Sequence, residues 1–158
     1  MTFLSAHSVG KAQDGSALVA ADRAEAHDEG ASKARTIGYR VTTGLLVFCM
    51  TGGFFELVGA HTTTDGIMRL GYPAYIIPAL GLGKILAILA ILWPGLPRLK
   101  EWAYAGIFFN MAGAIVSHIA RHDPAWSVAV TVTIAGITLA SWALRPPSRR
   151  LGEIVRLG

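Results

Sequence analysis

The chain has 158 residues, 53% of them hydrophobic and only 15% charged, with a mean hydropathy of +0.48. A soluble domain carries roughly a quarter of its residues as charges, so this chain lacks the material for a polar surface. Its net charge of +4 sits at the ends of apolar runs, which is a membrane-topology pattern and argues against nucleic-acid binding.

Residues 1–36 combine Ala, Gly, Ser and mixed charges without hydrophobic periodicity, which predicts a disordered tail. The opening MTFLSAHSVGKAQ has neither a basic n-region nor an apolar h-region, so no cleavable signal peptide is expected. ALVAADRAEA offers too few apolar residues on one face to anchor a helix. From Tyr39 the composition changes, and four apolar segments follow at 41–60, 74–93, 102–120 and 126–144. Each is about 20 residues long and covers about 30 Å as a helix, the thickness of a hydrocarbon core. The connections HTTTDGIMRLGYP, PGLPRLKE and RHDP hold the helix breakers. Trp93, Trp102, Trp126 and Trp142 lie near segment ends, as interfacial aromatics do.

Lys33, Arg35, Arg40, Arg98, Lys100, Arg145, Arg149, Arg150 and Arg156 fall on one side of these segments, and only Arg69 and Arg121 on the other. The positive-inside rule then places both termini in the cytoplasm. Short connections make successive helices antiparallel neighbours. The expected fold is an all-α, integral membrane, antiparallel four-helix bundle over 37–145. A cytoplasmic N-terminal tail over 1–36 and a C-terminal tail over 146–158 flank it.

The informative residues are the ionisable ones inside the segments. In segment one, Thr42, Leu45, Cys49, Gly52, Gly59 and Ala60 fall within about 60° of Glu56 on a helical wheel. That small-residue face should turn toward the other helices and carry Glu56 inward. Cys49 is the only cysteine, which excludes an intrachain disulfide and a cysteine-rich metal site; it reads as a small buried hydrophobe. Lys84 stands in the middle of segment two, where an unpaired lysine costs about 2.5–3.5 kcal/mol. Segment three presents Gly106, Asn110, Gly113 and Ser117 on one stripe, with His118 at its edge. Helical rise puts Glu56 about 9 Å further from the cytoplasmic end than Lys84, within reach of two extended side chains. The sequence therefore predicts that Glu56 receives Lys84, assisted by Asn110 or His118. Such a pair either fixes helix order and register or takes part in proton relay or polar-ligand binding. In segment four, Thr131 and Thr138 share a packing stripe.

Other chemistries find no support. His61 and His122 lie in outer connections near Asp65 and Asp123, without spacing that sets metal geometry, so no metal is expected. His118 is the only histidine within the segments, which excludes bis-histidine haem in one protomer. GLG at 81–83 follows no strand and cannot cradle a phosphate.

LGYPAY, followed by GLGK, LPRLKEWAYAG and AIVSH, closely resembles the DoxX-like family of small four-helix bacterial membrane proteins over about residues 37–145. By this resemblance Lys84 is the family's mid-helix lysine, Glu56 its acidic residue in helix one, and Ser117–His118 its Ser-His. Asn110 stands where aspartate is frequent, which weakens a proton-carrying role at that position. The family takes its name from a membrane subunit associated with a quinol oxidase or thiosulfate–quinone oxidoreductase. The resemblance thus implies a multi-pass protein of the bacterial cytoplasmic membrane, with quinone as the cofactor to consider and other membrane redox subunits as partners beside the lipid bilayer. Relatives that handle disulfides use cysteine pairs, which this chain lacks. Two functions stay open. One is an accessory redox subunit with a pocket of Glu56, Lys84, Asn110, Ser117 and His118. The other is a non-catalytic assembly or scaffold protein whose ion pair is structural. A small transporter is weaker, since four helices make a poor alternating-access machine without a homo-oligomer, which also stays open.

Overall fold

The computed structural model describes residues 5–146 and residue 149, so most of the expected C-terminal tail lies outside the described residues. The chain divides into two compact units, Met1–Ile37 and Gly38–Gly158. Helix α1 runs over Ser5–Met50. The residues of the first unit from Ser5 onward are therefore helical, where the sequence predicted a disordered tail. Local terms account for this: the stretch is rich in alanine, Lys33 pairs with Glu29 one turn earlier at 2.6 Å, and Thr36 bonds the Ser32 carbonyl. Residues 18–35 are exposed along their whole length.

In the second unit the first apolar segment is not one uninterrupted helix. Helix α1 ends at Met50, and a short helix α2 (Gly52–Leu57) follows after Thr51. The Thr51 amide is shared between the Val47 and Phe48 carbonyls, and the Phe54 amide bonds back to Thr51 in a tighter turn. A threonine followed by two glycines weakens the helical ladder here, which accounts for the interruption. The segment then stops at Gly59, whose φ of 71° lies in the left-handed region that favours glycine. The expected outer loop holds a further helix, α3 (His61–Arg69), opened by the Thr63 and Thr64 amides on the Ala60 carbonyl.

A 3-10 turn (Ala74–Ile76) leads into α4 (Ile77–Leu92), whose Pro78 falls in the first turn, where no N–H is missed. Pro94 holds Trp93 in extended backbone and so ends α4. Gly95 turns the chain with a φ of 80°, and Pro97 opens α5 (Pro97–Ala120). Helix α5 closes at His122, a non-glycine residue with φ 54°, and Pro124 caps the start of α6 (Ala125–Ala143).

The described residues form an all-helical structure, and three of its helical stretches are long and apolar enough to cross a membrane: Ala74–Leu92, Pro97–Ala120 and Ala125–Ala143. Helix α5 packs against α4 and α6, and α4 also packs against α2. One core joins Leu46 and Met50 of α1, Ala87, Ala90 and Ile91 of α4, Tyr104, Ile107 and Met111 of α5, and Ala135 of α6. The outward faces are as apolar as the core: Phe48, Leu86, Phe109, Val116 and Val132 are all at least half exposed. Such a surface suits acyl chains in place of water.

Candidate functional site

Glu56 lies on α2 and is 3% exposed, and its Oε1 accepts an ion-pair hydrogen bond from Lys84 Nζ on α4. The Lys84 side chain is 16% exposed, so one end of the pair reaches an open surface. Backbone contact fixes this geometry. A Cβ at Gly81 would lie 2.5 Å from the Gly53 carbonyl oxygen and 2.7 Å from the Leu57 nitrogen. A Cβ at Gly53 would lie 2.6 Å from Lys84 Cβ. Only hydrogen fits at either position, and the two glycines let α2 and α4 approach closely enough for the carboxylate to meet the ammonium. The sequence places Gly52 and Gly59 on the small face, but a Cβ at either meets nothing within 4 Å; Gly53 makes the contact instead. Gly53 lies about 60° from Glu56 on that same wheel, three residues before it in α2, so it belongs to the face the wheel describes without having been counted in it.

The second carboxylate oxygen, Glu56 Oε2, is buried without a hydrogen-bond partner among the described residues. A buried acceptor left unpaired costs about 1–3 kcal/mol, so a hydrogen bond donated to it would be stabilising.

Asn110 does not assist the pair: no hydrogen bond joins it to Glu56 or Lys84 among the described residues. It shares with Lys84 a cleft of about 270 Å³ between α4 and α5, whose remaining walls include Gly83, Leu86, Leu99, Trp102 and Gly106. Its lining is thus apolar apart from Lys84, Asn110 and the indole of Trp102, all of them hydrogen-bond donors, and the ammonium of Lys84 is engaged with Glu56.

Ser117 and His118 belong to another group at the far end of α5. The Ser117 hydroxyl lies 2.9 Å from the Gly113 carbonyl oxygen and 3.1 Å from the Tyr72 hydroxyl. His118 Nδ1 lies 2.7 Å from Asp123 Oδ2. The expectation that His118 supports the Lys84–Glu56 pair is therefore corrected: its ring turns to the acid just past the end of its own helix. Thr131 and Thr138 are buried and bond the carbonyl one turn earlier, at 2.9 and 2.8 Å, as packing residues do. Among the described residues no three His, Cys, Asp or Glu side chains gather as metal ligands.

A third polar group escapes the sequence-based view. Lys100, counted there as a loop cation, is 1% exposed. Its Nζ donates to the carbonyls of Ala90 (2.9 Å) and Trp93 and so closes the end of α4. Arg145, 3% exposed, donates from Nη2 to Glu101 Oε1 at 2.8 Å and from Nε to the Trp142 carbonyl, and its guanidinium lies 5.0 Å from the Tyr104 ring centre. The Tyr104 hydroxyl is 2.9 Å from Ser141 Oγ, which is 2.8 Å from Thr43 Oγ1. The one available signal is the helical spacing from Lys100 to Tyr104 in a helix that begins earlier than its hydropathy does.

No curated protein and no solved structure shows significant similarity to the chain. The LGYPAY and GLGK stretches, the Lys84–Glu56 pair and the membrane helices that carry it all fall within residues 41–141, the span over which the chain matches the DoxX-like family. The protein belongs to that family.

Proposed function

We propose that the protein is an accessory subunit of a quinone-linked redox system in the bacterial cytoplasmic membrane, with both termini cytoplasmic. In this reading α4, α5, α6 and the interrupted first segment form the antiparallel four-helix bundle. The observation that supports it is the cleft between α4 and α5, whose mostly apolar lining includes Asn110, Trp102 and Lys84, the last already paired with Glu56. A quinone headgroup fits that donor set: its carbonyl oxygens accept hydrogen bonds and its ring and tail need no polar contact. Bound there, it would supply reversible two-electron, two-proton chemistry. Lys84 would hold one carbonyl oxygen, and Glu56, with its unpartnered Oε2, would retain or release a proton behind it.

The test is purification into native-lipid nanodiscs, followed by extraction and mass spectrometry of retained quinone. Near-stoichiometric quinone in the parent, lost in Gly106→Leu, is the expected result. Gly106 lines the cleft and a Cβ there meets nothing within 4 Å, so a larger side chain at this position has room to enter the cleft. Quinone no higher than in the bulk lipid, or unaffected by Gly106→Leu, would refute the reading.

A second reading has its own observation. The pair sits where α2 and α4 touch through Gly53 and Gly81, the place where an ionic lock would fix helix register. In that reading the protein is a non-catalytic assembly or scaffold protein. It requires that Glu56→Leu with Lys84→Met retain both folding and any co-purifying membrane partner.

A further inference from the structure

The cleft between α4 and α5 is unbalanced in what it donates and what it accepts. Lys84, Trp102 and Asn110 carry the polar groups of its lining. The Lys84 ammonium has three hydrogens, and among the described residues its one hydrogen-bond acceptor is Glu56 Oε1, which leaves two free. The indole of Trp102 only donates. The carboxamide oxygen of Asn110 is therefore the one side-chain acceptor in the lining. Main-chain carbonyls do not redress this. Both walls lie within continuous helices, where a carbonyl already meets the amide four residues on, and the Ala90 carbonyl near the end of α4 meets Lys100 instead.

Glu56 does not line the cleft: its Oε1 is taken by Lys84 and its Oε2 is buried. A ligand in the cleft thus meets the pair from its ammonium side. Lys84 stands halfway along α4, between two helices able to cross a membrane, where no water supplies a missing acceptor. A quinone ring presents two carbonyl oxygens, which only accept. Its quinol presents two hydroxyls, each with a hydrogen that needs an acceptor. Asn110 satisfies one of them, so at least one quinol O–H is stranded wherever in the cleft the ring lies. The count holds whether or not Lys84 and Asn110 reach the same ring.

We infer that the cleft selects the oxidised ring, holding quinone in preference to quinol, and that its shortage of acceptors sets this selectivity. The inference rests on the quinone reading of the cleft and adds to it which redox form is bound. A donor stranded in hydrocarbon lowers affinity about tenfold or more. Because the oxidised form is the one held, tenfold selectivity also lowers the midpoint potential of the bound couple by about 30 mV against quinone free in the bilayer.

The test uses full-length protein in nanodiscs, with empty nanodiscs as the reference. Both are equilibrated under argon with equal amounts of a decyl-tailed benzoquinone and its quinol, then washed and extracted, and the two forms are quantified by chromatography. Above the empty-disc background, the parent is expected to retain quinone over quinol by about tenfold or more. Equal retention, or an excess of quinol, would overturn the selectivity and leave the quinone reading standing; retention of neither form would overturn both. Gly83→Ser and Gly106→Ser each add a hydroxyl to one wall, at positions where a Cβ meets nothing within 4 Å. The new oxygen can accept from a quinol while its hydrogen goes to the carbonyl one turn earlier. At least one of the two is expected to lower the preference about threefold, and Gly83→Ala and Gly106→Ala to keep it. A preference unchanged in both serine variants would overturn the shortage of acceptors as its cause.

Discussion

Replacing both members of the Lys84–Glu56 pair should cost less than replacing the lysine alone. Glu56 is 3% exposed and Lys84 is the only ionic partner it has among the described residues. Lys84→Met leaves that carboxyl among apolar atoms, with Oε1 now as unpartnered as Oε2 already is. Breaking a buried pair from one side costs about 3–5 kcal/mol, because an uncompensated charge stays behind. Glu56→Leu alone should cost less, about 1–3 kcal/mol: the lysine side chain is partly exposed and can extend its ammonium into the neighbouring cleft. The double variant removes both desolvation penalties and fills similar volume, so it should fall within about 1 kcal/mol of the parent. Thermal unfolding in a mild detergent, followed by size-exclusion with intrinsic fluorescence, measures all four corners of the cycle. A double variant as unstable as Lys84→Met would refute the reasoning. It would show that α2 and α4 are held apart or together by something other than this pair.

Two further outcomes follow from the packing. Gly81→Ala and Gly53→Ala should each destabilise by about 1–3 kcal/mol, because the added methyl meets backbone or a Cβ that cannot rotate away; Gly52→Ala, facing open space, should be neutral or gain up to about 1 kcal/mol of helix propensity. The same unfolding assay checks this, and equal effects at positions 52 and 53 would contradict the close approach. Lys100→Met should cost about 2–3 kcal/mol by stranding the Ala90 and Trp93 carbonyls, whereas the exposed Arg98→Met should stay within about 0.5 kcal/mol; thermal melts of the two variants side by side decide it.

The sequence made the span positions legible because hydropathy and breakers act locally. Pro94, Pro97 and Pro124 end and open helices wherever the chain runs, and the segments expected at 74–93, 102–120 and 126–144 coincide with α4, α5 and α6 to within a few residues. The Lys84–Glu56 pair was legible for a related reason: charges inside apolar runs are so few and so costly that each restricts the other's choice of partner. The partners of His118 and Ser117 were not, because they depend on tertiary placement. Asp123 reaches His118 only through the tight turn at His122, and Tyr72 meets Ser117 from a separate element. The break in the helix at Thr51 was missed because a wheel drawn at uniform pitch cannot register a shared amide.

Lys100 shows most clearly where counting charges stops being informative. By position it is one more cation at a span end, and topology rules ask only which side it is on. Its burial comes from α5 starting at Pro97, earlier than hydropathy alone implies, so that Lys100 already lies on a helical face turned toward α4. There the carbonyls of the last turn of α4 lack intrahelical partners and carry the negative end of the helix dipole, and an ammonium satisfies both needs at once. The same residue type thus serves opposite ends of one helix hairpin by different physics. At Lys84 a lysine is tolerated because a carboxylate meets it, and at Lys100 because a helix terminus does. A carboxylate cancels the charge at Lys84, whereas the carbonyls that hold Lys100 satisfy its donors without an opposite formal charge.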